Sequence, residues 1–348
     1  MIDAFFLACK RVFKESECKE VSAASVRIVC WLLLFISAPI YLYSIIKDVT
    51  LVYASGYRAI YNVTDSGNTI VQSMAMWCIP CLFFLIYEYK KSKLKYIFVT
   101  IMLAIIIGYL YIGSRSTPII IMMASVLFYQ TCIEKISRNK ILLFCLLGLV
   151  CFIFVANISV LRSQANKTLS VYINAVFSTE DIGALVVDSI GEMGSSMQIW
   201  LRLQYLVPDL YGYRYGFSYV ASVLACIPSI LFGGFSFVNY AALAQWITIV
   251  ENETYGLGFS HLGELYYNFG WLGIPMSIFI NYFLINVLSG KITYARFSKY
   301  KYVYAVCAFC IIADIARSSM YLIVRELVYG LLIPGILIIL IDNGLKKE

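Results

Sequence analysis

The chain has 348 residues, 61% of them apolar and 14% charged, with a mean hydropathy of +0.81. Soluble domains carry roughly 45–50% apolar and about 25% charged residues, so this composition excludes a soluble enzyme, a disulfide scaffold and a disordered protein. The formal charge of +7, from 27 basic against 20 acidic residues, raises the question of sidedness in a bilayer before that of nucleic acid.

A bilayer-crossing helix needs ~20 mostly apolar residues. In chain order the sequence predicts spans at Val26–Ile46, Ile70–Tyr89, Tyr96–Gly113, Pro118–Ile133, Ile141–Val160, Leu262–Ser289, Tyr302–Ala316 and Tyr321–Ile341. The basic, polar stretch before Val26 is not followed by a small-residue cleavage site, so the first apolar run reads as a true span rather than a signal peptide. The expectation is an all-α polytopic membrane protein of about 8–10 transmembrane helices, one integral membrane domain over residues 1–348. No internal repeat is visible, which lowers the secondary-transporter reading. The eleven cysteines sit mostly in apolar runs, where Cys behaves as a small hydrophobe. Cys78-x-x-Cys81 and Cys307-x-x-Cys310 therefore imply neither a redox pair nor a metal site.

The basic residues sort by side. If eight spans alternate, 18 of the 27 fall on one face, in the N-terminal stretch, in the loops around Lys90–Lys95, Lys135–Lys140 and Lys291–Lys301, and in the tail. By the positive-inside rule both termini are cytoplasmic. That inner set is mostly lysine. The outer set, Lys47, Arg58, Arg115, Arg162, Lys167, Arg202, Arg214, Arg317 and Arg325, is mostly arginine. Guanidinium presents a rigid fork that pairs bidentately with phosphate or carboxylate. The outer arginines either form an anion site or pair with outer acids such as Glu192, Asp209 and Asp314.

The fourth span follows Gly113-Ser-Arg-Ser-Thr-Pro118, a short hairpin carrying Arg115. Its counterpart before the last span is Ala316-Arg317-Ser318-Ser319, in which hydroxyls again follow Arg. Charge at this depth faces the bundle interior or water. Arg325, two turns beyond Arg317, is expected to face the same cavity. Asp314 is most plainly the ion-pair partner of Arg317.

Between spans five and six lies an outer segment of about a hundred residues, 161–261, too long for a simple connection. Its apolar pieces, Gly216–Phe232 and Val238–Val250, are re-entrant hairpins, membrane-parallel helices or an extra pair of spans. Glu192 lies in Gly191-Glu-Met-Gly-Ser-Ser-Met197. Arg202, Arg214, Tyr213 and Tyr215 lie in a tyrosine-rich stretch suited to sugar rings or to an interfacial aromatic belt. In YGLGFSHLGELYYNFG, Ser260 is placed to cap a helix starting at His261. On that helix His261, Glu264 and Asn268 share one face. A carboxylate in a partly apolar pocket beside an imidazole suits general-base work. The structural alternative is a Glu264–Arg pair with His261 only hydrogen-bonded.

In their order, EMGSS…Q at Glu192, VPDLYGYRYGFSY…IPS and YGLGFSHLGELYYNFGWLG resemble bacterial O-antigen polymerases of the Wzy type. The resemblance runs from about Gly113 to Arg325 and is strongest over Glu192–Gly273. It implies an inner-membrane glycosyltransferase, similar in layout to the GT-C enzymes, with its active site at the periplasmic face. Such an enzyme joins O-antigen repeat units carried on undecaprenyl pyrophosphate, without metal or cofactor. A chain-length regulator and a flippase of the same pathway are its implied partners, and nucleic acid is not. Under this reading Glu264, then His261, then Glu192 are candidate bases. Arg115, Arg317 and Arg325, then Arg202 and Arg214, would hold the pyrophosphate, and Tyr213, Tyr215 and Asn268 the glycan. The alternatives are an O-antigen ligase or a polysaccharide flippase or other transporter.

Overall fold

A computed structural model describes residues 20–56, 69–114, 116–135, 196–253, 256–288, 295–315 and 317–346, with the single positions 137, 183, 187 and 191. The predicted fifth span, Ile141–Val160, lies outside the described residues.

All regular elements among the described residues are helical. Helix α1 (Ala23–Ser55) has 33 residues and starts where the Ser22 hydroxyl accepts the Ser25 amide at 3.1 Å. Next come α2 (Thr69–Ala75) and α3 (Cys78–Glu88), together one span broken at Met76–Trp77, then α4 (Lys95–Ile112) and α5 (Ser116–Phe128), which runs on into a π-helical turn, Tyr129–Ile133. The last span, Met320–Leu345, is α13 (Met320–Glu326), a π-helical stretch (Leu327–Leu332) and α14 (Ile333–Leu345). Among the described residues these make five helices long and apolar enough to cross a membrane. Phe35 and Ile107 are 82% and 64% exposed, as apolar side chains facing lipid tails rather than a protein core. Cys78, Cys81 and Cys307 are buried among apolar side chains of the main core.

The outer segment builds short pieces: α6 (Ser196–Leu206), α7 (Phe217–Leu224), α8 (Val238–Ala241) and α9 (Leu243–Val250). Eight residues at 1.5 Å each reach ~12 Å, well under the ~30 Å of a hydrocarbon core, so α7 and α9 are not an extra pair of spans. The predicted sixth span, Leu262–Ser289, is also not one rod. It divides into α10 (His261–Phe269) and α11 (Gly273–Leu288), joined by a single 3-10 turn. Two glycines make the division. Gly270 has φ +59, and a Cβ there would lie 3.0 Å from the Tyr213 hydroxyl; a Cβ on Gly273 would lie 2.7 Å from the Leu265 carbonyl oxygen. Only glycine allows the chain to turn this tightly against its own preceding helix. The seventh span is shorter than predicted, α12 (Lys301–Ile312), because the chain turns at Ala313–Ile315.

One end of the bundle gathers the start of α1 and the end of α14. The Ser22 amide and the Ser25 hydroxyl donate to Asp342 Oδ1 at 2.9 and 3.1 Å. Glu88 accepts the Tyr300 hydroxyl at 2.8 Å and pairs with Lys299 at 3.3 Å and Arg27 at 3.8 Å. Thus the start of α1, the end of α3, the start of α12 and the end of α14 lie together, as the charge sorting predicts. The last span has 26 residues, ~39 Å of helix, so its start at Met320 lies at the opposite end.

Candidate functional site

At that opposite end α10 meets α7 and the start of α13. Ser260 caps α10 as expected, accepting the Gly263 amide at 3.0 Å. The predicted face of His261, Glu264 and Asn268 is entirely buried, at 4%, 0% and 0% exposure.

Glu264 is the hub. Its Oε1 accepts the Ser218 hydroxyl at 2.7 Å, and its Oε2 accepts the Met320 amide at 2.6 Å. That amide is one of the N-terminal donors a helix leaves unsatisfied, so Glu264 caps the last span from another helix and places negative charge at its positive end. Asn268 completes the network. Its Nδ2 donates to Ser218 Oγ and to the Glu264 carbonyl, each at 2.8 Å, and its Oδ1 accepts the Gly216 amide at 3.0 Å. Burial pushes the Glu264 carboxyl up to about 7, against the Met320 and Ser218 hydrogen bonds and the Arg214 charge, which pull it down.

His261 differs. Both ring nitrogens are buried and have no hydrogen-bond partner, and burial pushes the imidazole down to about 4, which keeps it neutral near pH 7. Its backbone amide donates to the Ile315 carbonyl, fixing α10 to the loop that carries Arg317. Glu264 is therefore engaged on both oxygens, while His261 offers an unoccupied proton acceptor.

The arginines separate into different roles. Arg317 is exposed on the loop before Met320 and forms no ion pair among the described residues. The expected Asp314–Arg317 ion pair is absent; Asp314 accepts the Ser318 hydroxyl at 2.8 Å instead. Arg325 does not join Arg317 on that loop. It is buried within the last span, donating to Ser73 Oγ at 2.7 Å and to the Tyr321 hydroxyl at 2.9 Å. Arg202 is taken up by Glu251 at 3.0 Å and Glu253 at 3.7 Å, the pairing with outer acids that was the alternative reading. Arg214 donates to the Tyr240 carbonyl at 2.9 Å and lies over the Tyr267 ring at 4.9 Å. Arg115 and Glu192 lie outside the described residues.

The tyrosine-rich stretch is tied to the end of α10. The Arg214 and Tyr215 amides donate to the carbonyls of Tyr267 and Asn268 at 3.1 and 3.0 Å. Tyr215 has φ 49, a conformation few side-chain-bearing residues adopt, and its ring is 81% exposed. Tyr213 packs edge-on against Tyr215 and Tyr266, and Tyr266 in turn against Trp271, which is 59% exposed. The result is an aromatic surface beside the buried hub.

A model of the family described as O-antigen polysaccharide polymerase Wzy matches residues 3–348. The chain belongs to that family. The match covers nearly the whole chain, wider than the stretch from Gly113 to Arg325 that carries the sequence resemblance. No curated protein and no solved structure matches. As a Wzy-family chain with five helices long and apolar enough to cross a membrane among the described residues, it is a multi-pass membrane protein of O-antigen polymerisation that acts on lipid-linked oligosaccharide.

Three members of this Wzy-family site escaped the sequence reading: Ser218, the Met320 amide and Trp271. Trp271 sits in the NFGWLG turn and was legible as an aromatic near a helix break. The Ser318-Ser319 pair before an apolar run signals a helix start, and hence an amide needing a partner. Nothing in the sequence singles out Ser218 from its serine neighbours.

Proposed function

We propose that this chain polymerises undecaprenyl-pyrophosphate-linked O-antigen repeat units at the periplasmic face of the inner membrane. The family match over residues 3–348 carries this reading. Its finer parts draw support from the site lying opposite the bundle end that carries Arg27, Lys299 and Lys346, a basic end that the positive-inside rule assigns to the cytoplasm.

The reaction is glycosyl transfer. A hydroxyl of the incoming unit forms a new C–O bond to the anomeric carbon of the growing chain. The C–O bond to the carrier pyrophosphate breaks, and the pyrophosphate leaves with the electron pair. Arg317 meets the charge developing on that leaving group, where its guanidinium fork can pair with phosphoryl oxygens. Arg115, from the other short Arg–hydroxyl hairpin, has the same role on sequence grounds. His261 accepts the hydroxyl proton, as the neutral imidazole with no competing partner. Glu264, first choice from the sequence, becomes a positioning residue: it ties the start of the last span, three residues beyond Arg317, to α7 and α10. Tyr215, Tyr213 and Trp271 stack on the apolar faces of the glycan. The enzyme works with the flippase that delivers units and the regulator that sets chain length.

A strain deleted for the gene tests the reading. Wild-type sequence restores a full O-antigen ladder, and deletion leaves one repeat unit capping the core. Complete absence of O-antigen would instead indicate a ligase, and units trapped on the cytoplasmic side a flippase.

A further inference from the structure

A cleft of about 370 Å³ opens between α7, α11 and the last span, lined by Tyr219, Phe279, Ile280, Met320, Ile323, Val324 and Leu327. Its wall is shared with the polar hub, for Met320 lines the cleft with its side chain while its amide is held by Glu264. Phe279, on α11, is 55% exposed, so the cleft opens at the surface of the helical bundle. Tyr219 is the one polar side chain in the lining, and its hydroxyl is buried without a hydrogen-bond partner. Arg317 is three residues from Met320, within ~11 Å along even an extended chain. An apolar crevice open at the surface thus lies within three residues of an exposed arginine with no ion pair within 4 Å among the described residues.

We infer that this cleft holds the hydrocarbon tail of the lipid-linked substrate, seating its anionic phosphate head at Arg317; this rests on the proposed polymerase reading. The arrangement matches a ligand with a long apolar chain and a charged end. Burial of chain methylenes supplies affinity in proportion to the area removed from water, and the guanidinium fixes how deep the head sits. An oxygen of the head group would also give the Tyr219 hydroxyl its missing acceptor.

The test uses the full chain in lipid nanodiscs. A photoreactive benzophenone side chain at Phe279 is irradiated with a polyprenyl phosphate present, and the adduct is identified by mass spectrometry. Polyprenyl attachment is expected; attachment of bulk phospholipid alone overturns the inference. Separately, Val324→Trp fills the cleft. It should raise KM about tenfold, the equivalent of losing ~1.4 kcal/mol of binding, for a repeat unit on a long polyprenyl carrier, and leave it unchanged on a short-chain carrier. Equal KM values for both carriers overturn the cleft assignment. If the wild type makes no polymer from either carrier, the polymerase reading fails, and the Phe279 adduct alone still decides what the cleft binds.

Discussion

At the lysine-rich end, Glu88 shares its carboxylate among Tyr300, Lys299 and Arg27, and Asp342 takes the Ser22 amide and the Ser25 hydroxyl. These groups lie at helix ends. At the opposite end a carboxylate is buried with only neutral donors, an imidazole has two unpartnered nitrogens, and an exposed arginine lacks an ion pair among the described residues. Unpaired groups cost stability, and buried ones most of all. The proposed site falls where the charges are left incomplete.

Glu264→Ala attacks that contrast most directly. It strands the Met320 amide and the Ser218 hydroxyl, each costing ~1–3 kcal/mol when buried without a partner. The expected outcome is a sharp drop in the thermal midpoint in detergent and loss of the O-antigen ladder. A midpoint like the wild type's would show that the hub does not tie α7, α10 and α13 together. Glu264→Gln keeps one acceptor and should fall between the two.

The ionisation of Glu264 adds a pH signature. Its carboxyl lies near 7 in the folded chain against an ordinary 4.5, so the folded state binds the proton more tightly than the unfolded state does. The stability this gives is fully present below pH 4.5 and is lost as pH rises through about 7. Melting curves should show wild type losing stability from pH 5 to 7.5, with the slope reduced in Glu264→Gln. Identical slopes in the two proteins would assign the pH dependence to another group.

His261→Phe separates chemistry from stability. The imidazole has no hydrogen bonds to lose, so the variant should fold at least as well as wild type. Turnover should fall ~10²-fold or more, the usual contribution of a positioned general base. Polymer made at the wild-type rate would return the proton acceptor to Glu264 or to Glu192.

Much of this contrast was readable from local pattern. Hydropathy marks the first, third, fourth and last spans because each is a continuous apolar run. Helical periodicity puts His261, Glu264 and Asn268 on one face, and Ser260 announces the cap. Partnerships between remote parts of the chain were not readable. Arg202 finds Glu251 across 49 residues, and Arg325 finds Ser73 across 252, so neither could be told from a substrate-binding arginine by its neighbours. The division of the predicted sixth span depends in part on remote packing, for Tyr213 crowds the Cβ position of Gly270, whose positive φ already favours glycine.

The arginines give the finest test, because the same residue type occupies both situations. Arg317→Ala removes a charge with no ion-pair partner among the described residues and should lower turnover ~10²–10³-fold, the loss typical of one donor to a developing anion. Arg317→Lys keeps the charge without the fork and should recover only part of that rate. Arg202→Ala removes a charge already shared with Glu251 and Glu253 on a side chain that is 30% exposed. Partly exposed pairs contribute about 0–1 kcal/mol, so this variant should melt within a few degrees of wild type and build a normal ladder. If Arg202→Ala abolishes the ladder while Arg317→Ala leaves it intact, then ion pairing in the unliganded chain does not mark which arginines are spent, and the anion site lies beside α6 rather than on the loop before α13.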